Sequence, residues 1–325
     1  DAKLRLQAVR LLILALGDYH LQNPSVEVCT GYELPHQSTG GEAMFRLLRQ
    51  NLRDGLPSGD ANLDVESARL LAMLGDDDPK AVGAVSSFLT NDSSATSDFH
   101  YLAVLSRLPA ARSGEQTKQV AQTILGLEKK LAERKERTAR NWDLRLTEVV
   151  TGLIGRDSRL ADELLNHPGF ATSSHVGLTA AFPPAKRLQA AVLFKSAVQA
   201  DNRFAWSGAL VDLFGELPAQ EGQRLLREQW SNFGLRDKVL SQLSRKPDSL
   251  DRVKYLDGLE SGRPEIAEIC LRALAQLSRD PRPDGLASLV RLLDRLLADP
   301  RGQSMRSETL ALINRQADQS FAVRE

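Results

Sequence analysis

The side chains able to do chemistry are few and far apart. Histidine falls at 20, 36, 100, 167 and 175, and cysteine at 29 and 270. His20 and His36 share the stretch 18–41 with Tyr19, Cys29 and Tyr32, a grouping that could touch a metal or grip a partner. Zinc sites bring their ligands in at much shorter spacing than the sixteen residues between these histidines. Asp76, Asp77 and Asp78 form the densest carboxylate cluster, but the alternation of a calcium-binding loop is missing. Standing just before Pro79, they read as negative charge placed at a helix N-terminus, where the peptide dipoles favour it. His167 precedes Pro168 and His175 opens a short segment, so both read as caps, with no HExxH arrangement around them. Trp142, Trp206 and Trp230 would need to converge to stack on bases or sugars; at helix ends they instead plug gaps between packed pairs.

Enzyme signatures fail in turn. The chain has no GxSxG elbow, no GxxxxGK[ST] loop, no GxGxxG after a strand, and no CxxC or CxxCH. Its many carboxylates sit in helical sequence and solubilise it, unless a pocket alters their acidity. No catalytic, cofactor-binding or metal-binding residue is assigned, and the segment is expected not to be an enzyme.

The elements that would position any site are amphipathic helices. From Gly234 to Pro300 the runs LRDKVLSQLSRKP, SLDRVKYLDGLES, RPEIAEICLRALAQLSRD and DGLASLVRLLDRLLADP are parted by Lys-Pro, Ser-Gly and Asp-Pro breaks. In the third, Ile266, Ile269, Cys270, Ala273, Leu274 and Leu277 recur at steps of three and four, stacking on one face opposite Arg263, Glu265, Glu268 and Arg272. That face must be buried by a neighbour. Pairs of such helices recur at roughly 35–45 residues, the period of HEAT and armadillo arrays. Upstream, a first helix runs from Leu4 to Leu16. A second covers Glu42 to Leu56 with Met44, Phe45, Leu48 and Leu52 inward, and a helix pair turns over Gly75 to Pro79. Ser97 or Asp98 caps the next helix. Ser113 opens a long one whose charged second half pairs Glu133 with Arg137 and Glu136 with Arg140 at the favourable four-residue step. Asn141 or Asp143 begins the helix after that.

The stretch 18–41 has no helical period and holds two prolines and three glycines from Tyr19 to Gly41. Structureless loops beyond about 12–15 residues are usually functional or disordered. Two readings stand. Tyr19, His20, Tyr32 and His36 line a partner-binding insertion, or Val26, Val28 and Leu34 merely cover the first helix pair. The wide histidine spacing weighs for the second. A further break is expected near 167–186, around His167 and the Pro183–Pro184 pair.

Composition agrees with an all-α chain. Aromatic residues make up 5% of the sequence, and period-two runs of β-branched residues are missing. Basic and acidic side chains number 42 each. A nucleic-acid binder draws affinity from a basic surplus, so that class is disfavoured, although a local groove, as in HEAT-type DNA glycosylases, is the alternative reading. No run of about 18 apolar residues occurs, so no transmembrane segment is expected. Cys29 and Cys270 are too few for a disulfide framework and are expected to be free thiols. The missing initiator Met suggests a mature form or a segment cut from something longer, and the uncapped last helix hints that a parent chain continues past Glu325. The fold expected over 1–325 is a right-handed α-solenoid of HEAT or armadillo type, an α-α superhelix of about seven to nine helix pairs.

Three stretches carry a resemblance: SGDANLDVESARLLAMLGDDDP; FHYLAVLSRLPAARSGEQT; and RNWDLRLTEVV together with LLNHPGF. They resemble the helical middle region of planctomycete-type multidomain, membrane-bound dehydrogenase and cytochrome c proteins. In those, a sugar-dehydrogenase-like propeller precedes a HEAT-like array and a haem-binding cytochrome c domain follows. The likeness covers nearly the whole chain. It implies a non-catalytic scaffold that spaces or docks redox modules of an exported, extracytoplasmic protein, with a protein partner or neighbouring domains as its partners. Haem is expected only in the following cytochrome c domain. Since neither propeller nor CxxCH is present here, no cofactor residue carries over.

Overall fold

A computed structural model describes residues 1–17, 31–33, 41–138, 141–280, 283–298 and 303–322. Tyr19, His20, Cys29 and His36 lie outside the described residues; Tyr32 lies within them. The described residues contain helices and turns but no strand. They form two compact units, Asp1–Asp201 and Asn202–Glu325. The 167–186 segment belongs to the interior of the first unit, upstream of that division.

The first unit contains α1 (Ala2–Ala15), α2 (Glu42–Asp54), α3 (Ala61–Met73), α4 (Pro79–Ser86), α5 (Ala95–Arg107), α6 (Gly114–Glu133), α7 (Trp142–Arg156), α8 (Arg159–Asn166) and α9 (Pro184–Ala200). Between α8 and α9 lies a 3-10 helix, Ser173–Ala181. Helices α1, α3, α5 and α7 pack side by side in one row, which the 3-10 helix extends. Helices α2, α4, α6 and α8 make a second row against it, and α9 packs on α8 and the 3-10 helix. Each helix thus meets the next helix but one, as expected of a helical-repeat array in which every apolar face is covered by a neighbouring pair.

The second unit repeats the scheme. It contains α10 (Gly208–Phe214), α11 (Ala219–Glu228), α12 (Arg236–Leu243), α13 (Arg252–Gly258), α14 (Pro264–Gln276), α15 (Pro283–Leu297) and α16 (Gln303–Ala317). Helices α10, α12, α14 and α16 form one row. Helix α11 packs on α10 and α12, α13 packs on α12, α14 and α15, and α15 packs on α16. The protein is an all-α helical repeat within each unit. No described helix is long and apolar enough to cross a membrane.

Local chemistry sets the boundaries. Asp60 accepts from the amides of Asn62 and Leu63, and Asp78 from that of Lys80, so each satisfies donors that open α3 and α4. Pro79 occupies the first turn of α4, as the sequence predicts. Ser113 and Gln116 form a reciprocal capping box at the start of α6. Helix α3 ends where Gly75 turns left-handed at φ 59°, with the Asp76 amide reaching Leu71 O at 3.2 Å and the Gly75 amide reaching Ala72 O at 3.0 Å. Helix α6 ends the same way, but with Lys135 at φ 54° in the glycine position.

That second ending corrects an expectation. Glu133 is the last residue of α6, so Glu133 and Arg137 share no helix face, and Glu136 lies beyond the helix; Arg140 is outside the described residues. A lysine gives no stop signal of the glycine kind, which is why the pattern reads through it. The cap of α5 also differs: Ser94, not Ser97 or Asp98, accepts from the Ser97 amide. Asp98 is fully buried, held by Ser93 Oγ at 2.5 Å and Lys130 Nζ at 2.6 Å. In α2, Phe45 and Leu52 are buried as expected, whereas Met44 faces outward at 45% exposure.

Helix α14 buries Ile266, Cys270, Ala273 and Leu274 on the expected face, with Ala267 and Leu271 widening it. Ile269 sits half-buried at its margin. Burial pushes the Cys270 thiol up to about 12. Helix α13 comes close at Gly258, where an added Cβ would collide with Cys270 Sγ and would meet Leu240 Cδ1 at 2.9 Å. Leu274→Ala should therefore cost about 2–5 kcal/mol in urea unfolding, while Glu268→Ala on the wetted flank should stay within about 0.5 kcal/mol. Gly258→Ala should cost about 1–3 kcal/mol by overpacking that crossing. A near-zero loss at both Leu274 and Gly258 would show that α14 is packed on a different face.

Candidate docking surface

Several buried polar groups hold turns in place. Asp76, in the α3–α4 turn, is fully buried and receives Arg53 Nη1 of α2 on both carboxylate oxygens, at 2.6 and 2.7 Å. Asp157, in the α7–α8 turn, accepts from Thr117 Oγ1 of α6 at 2.5 Å and from Arg159 Nε at 2.9 Å. Burial pushes its pKa up, but the hydrogen bonds from Arg159 and Thr117 outweigh this and hold it below the usual carboxylate value. Asp251, in the α12–α13 turn, is fully buried and takes Arg227 of α11 at 2.9 and 2.7 Å, with Lys254 Nζ at 3.1 Å. Asp280 after α14 takes Arg252 Nε of α13 at 3.3 Å. In each case a side chain of the last helix but one before the turn (α2, α6, α11 or α13) reaches the turn's carboxylate. These carboxylates are committed to internal bonds.

Of the predicted partner-binding residues, Tyr32 is described, and its hydroxyl lies against the array. Tyr32 Oη is 2.9 Å from His100 Nδ1, and His100 Nε2 is 3.1 Å from Val65 O. A carbonyl can only accept, so Nε2 carries the proton and Nδ1 accepts from the tyrosine. Gly31 O accepts from Arg69 Nε at 2.6 Å, and Glu33 pairs with Arg107 at 2.6 Å. Residues 31–33 are thus pinned to α3 and α5. Desolvation, with a smaller contribution from the Arg69 charge, lowers the His100 pKa to about 4 despite the opposing bond to Val65. His175 is buried and lowered for the same first reason; its Nε2 is 3.2 Å from Leu125 O and its Nδ1 3.0 Å from Thr172 Oγ1. His167 Nδ1 accepts from the Gly169 amide at 3.0 Å, the capping role that its sequence position suggests. Among the described residues, no group of three or more His, Cys, Asp or Glu is placed to hold a metal ion.

The tryptophans do not converge as one platform. Trp142 tilts on Phe99 at 5.1 Å, and Trp206 meets Phe214 edge-on at 5.3 Å. Both act in packing. Trp230 differs. It follows α11, and the Arg236 guanidinium lies 4.9 Å from its ring centre and 5.3 Å from that of Phe233. Arg236 Nε donates to Trp230 O at 3.0 Å, which fixes the fork in place. Lys254 Nζ lies 6.0 Å from the Trp230 ring centre. Phe233 is 81% exposed, and Leu250 and Val253, beside Lys254 in the chain, are 72% and 60% exposed. Among the described residues Arg236 has no carboxylate partner. A guanidinium held over aromatic rings beside an exposed apolar side chain fits a surface carrying a carboxylate and apolar groups together.

The spacing that marks this cluster, WSNFGLR from Trp230 to Arg236, is visible in the sequence, but reads there as a helix end. Comparison with models of protein families, with characterised proteins and with solved structures returns no match.

The histidine geometry yields a pH dependence. Because the folded protein keeps His100 neutral down to about pH 4, the unfolded chain alone takes up the proton between about pH 6.5 and 4. Stability should fall as pH drops through that window, by about 1–3 kcal/mol for this half-buried ring. His100→Gln, which keeps a donor and an acceptor, should flatten that part of a stability-against-pH curve measured by urea unfolding. An unchanged slope in the variant would remove His100 from the account.

Proposed function

We propose that the chain is a non-catalytic scaffold whose second unit docks a protein partner through the Trp230, Phe233 and Arg236 cluster. The observation that carries this reading is Phe233, 81% exposed with Arg236 stacked 5.3 Å from its ring centre. Tryptophan and arginine are the residues that most often dominate binding energy in protein interfaces. The occupant is a protein surface that offers a carboxylate to the Arg236 fork beside an apolar side chain for Phe233. By the resemblance noted above, that surface belongs to a redox module, a dehydrogenase-like propeller or a cytochrome c domain, within a HEAT-like extracytoplasmic assembly. Haem and substrate chemistry stay with those modules.

Binding can be measured by titrating the purified chain against propeller and cytochrome c domains taken from a protein of the resembled type. Arg236→Glu should weaken the complex by about a hundredfold and Phe233→Ala by about tenfold, the loss of interfacial anchors worth roughly 1–3 kcal/mol each. Equal affinities for wild type and both variants would remove the cluster from the interface. A gel-shift titration with duplex DNA should show no steep dependence of affinity on salt; a slope matching several displaced counterions would favour the nucleic-acid alternative.

A further inference from the structure

Helix α1 begins the first row of the first unit, and its two sides differ in what covers them. Val9 and Ile13 are buried where α1 packs on α3, and Arg10 Nε reaches Glu66 of α3 at 3.0 Å, which fixes how the helix is turned. Leu4, Ala8, Leu11 and Ala15 lie on the side away from Val9 and Ile13 and are exposed, the two leucines at 68% and 67%. At roughly 3.6 residues per turn these four fall within about 60° of one another, so they make one stripe. We infer that this stripe is the seam of a two-fold dimer, its occupant being α1 of a second copy of the chain laid antiparallel.

The order of the side chains selects that occupant. The steps from Leu4 to Ala8, Leu11 and Ala15 read the same from either end, and large alternates with small. About a two-fold axis between residues 9 and 10, Leu4 meets the second copy's Ala15 and Leu11 meets its Ala8, so each leucine enters the space left by an alanine. A parallel pair would set leucine on leucine and alanine on alanine, crowded and empty layers in turn. None of the four positions carries a charge, so the seam closes without stranding one.

The area suits a dimer of modest strength. Leu14 beside the stripe is 66% exposed, and on α2, which begins the second row, Met44 and Leu47 are 45% and 59% exposed outside the buried face of Phe45 and Leu52. With the polar residues between them, these groups come to about the 800 Å² per copy that specific protein interfaces bury. Aromatic and arginine anchors are missing from the stripe, so a dissociation constant of about 10 µM is expected. The surface belongs to the other unit from Phe233, and the inference does not rest on the docking reading above.

Sedimentation equilibrium of the full chain reads the association directly: the mass should rise from monomer to dimer around 10 µM. Leu11→Glu, at an exposed position, should weaken the dimer by about a hundredfold or more by placing a carboxylate in the closed seam. Ala8→Leu separates a fitted seam from general stickiness. It adds apolar surface yet fills the space that Leu11 needs, so the dimer should weaken by about tenfold. Phe233→Ala should leave the association unchanged. Orientation is read by oxidation in a Cys29→Ser background, where the buried Cys270 stays out of the exchange. Leu4→Cys mixed with Ala15→Cys should give a disulfide-linked dimer. Leu4→Cys alone should not, since the two copies of residue 4 would lie about 16 Å apart along the pair, well beyond the roughly 4.4–6.8 Å between disulfide-linked Cα atoms. A monomer persisting about twentyfold above the expected constant, tighter association of Ala8→Leu, or a disulfide between two Leu4→Cys copies would each overturn the inference.

Discussion

A carboxylate buried in a turn, bonded to a side chain from the helix pair before it, is the constraint on which the repeat depends. Asp76 with Arg53, Asp157 with Thr117, and Asp251 with Arg227 are three instances spread over both units. Removing a charge from water costs several kcal/mol, and its partner repays that only in good geometry. Such a bond is therefore weak as a source of net stability and strong as a selector of arrangement. A one-turn slip between neighbouring pairs keeps leucine against leucine but strands an aspartate. The apolar faces supply the attraction, and the turn carboxylates supply the register.

Carbonyls at helix ends are handled by the same cross-pair reach. Arg315 of α16 donates to Leu274 O, Ala275 O and Leu277 O at the end of α14, at 3.1, 2.6 and 3.2 Å. Gln119 of α6 donates to Ser86 O and Leu89 O after α4, at 2.9 and 2.8 Å. These bonds satisfy acceptors that a helix end leaves open. The charge pairs are separate from these bonds: Arg53 with Asp76, Lys130 with Asp98 and Arg227 with Asp251 set basic against acidic side chains inside the array. Arg236 has no acidic partner among the described residues and is held instead over aromatic rings. Beside it Phe233 is 81% exposed, so this cation and an exposed ring share one patch of the second unit.

Much of the fold was legible in the sequence, since three- and four-residue apolar steps, Ser113 with Gln116, and Pro79 after three aspartates are local signals with local causes. The face of α14 was read correctly apart from its width. Helix ends that rely on a non-glycine residue, such as Lys135, were not legible, because lysine in a left-handed turn is tolerated and not demanded. Nor was burial of Asp76, Asp98, Asp157 and Asp251. A carboxylate in a helical sequence reads as a wetted group, and only the arrival of a partner 23 to 40 residues away makes its burial possible for Asp76, Asp98, Asp157 and Asp251. The Tyr32 contact with His100 spans 68 residues and is beyond local pattern in the same way.

A double-mutant cycle on Asp251 and Arg227 tests the register claim most directly. Asp251→Asn, Arg227→Met and the combined variant would be unfolded in urea alongside the wild type. The account predicts that each single change is strongly destabilising and that the pair is much less so than their sum, with a coupling of about 2 kcal/mol or more. Additive losses, with coupling below about 0.5 kcal/mol, would contradict it and leave apolar packing alone to set how the helix pairs align.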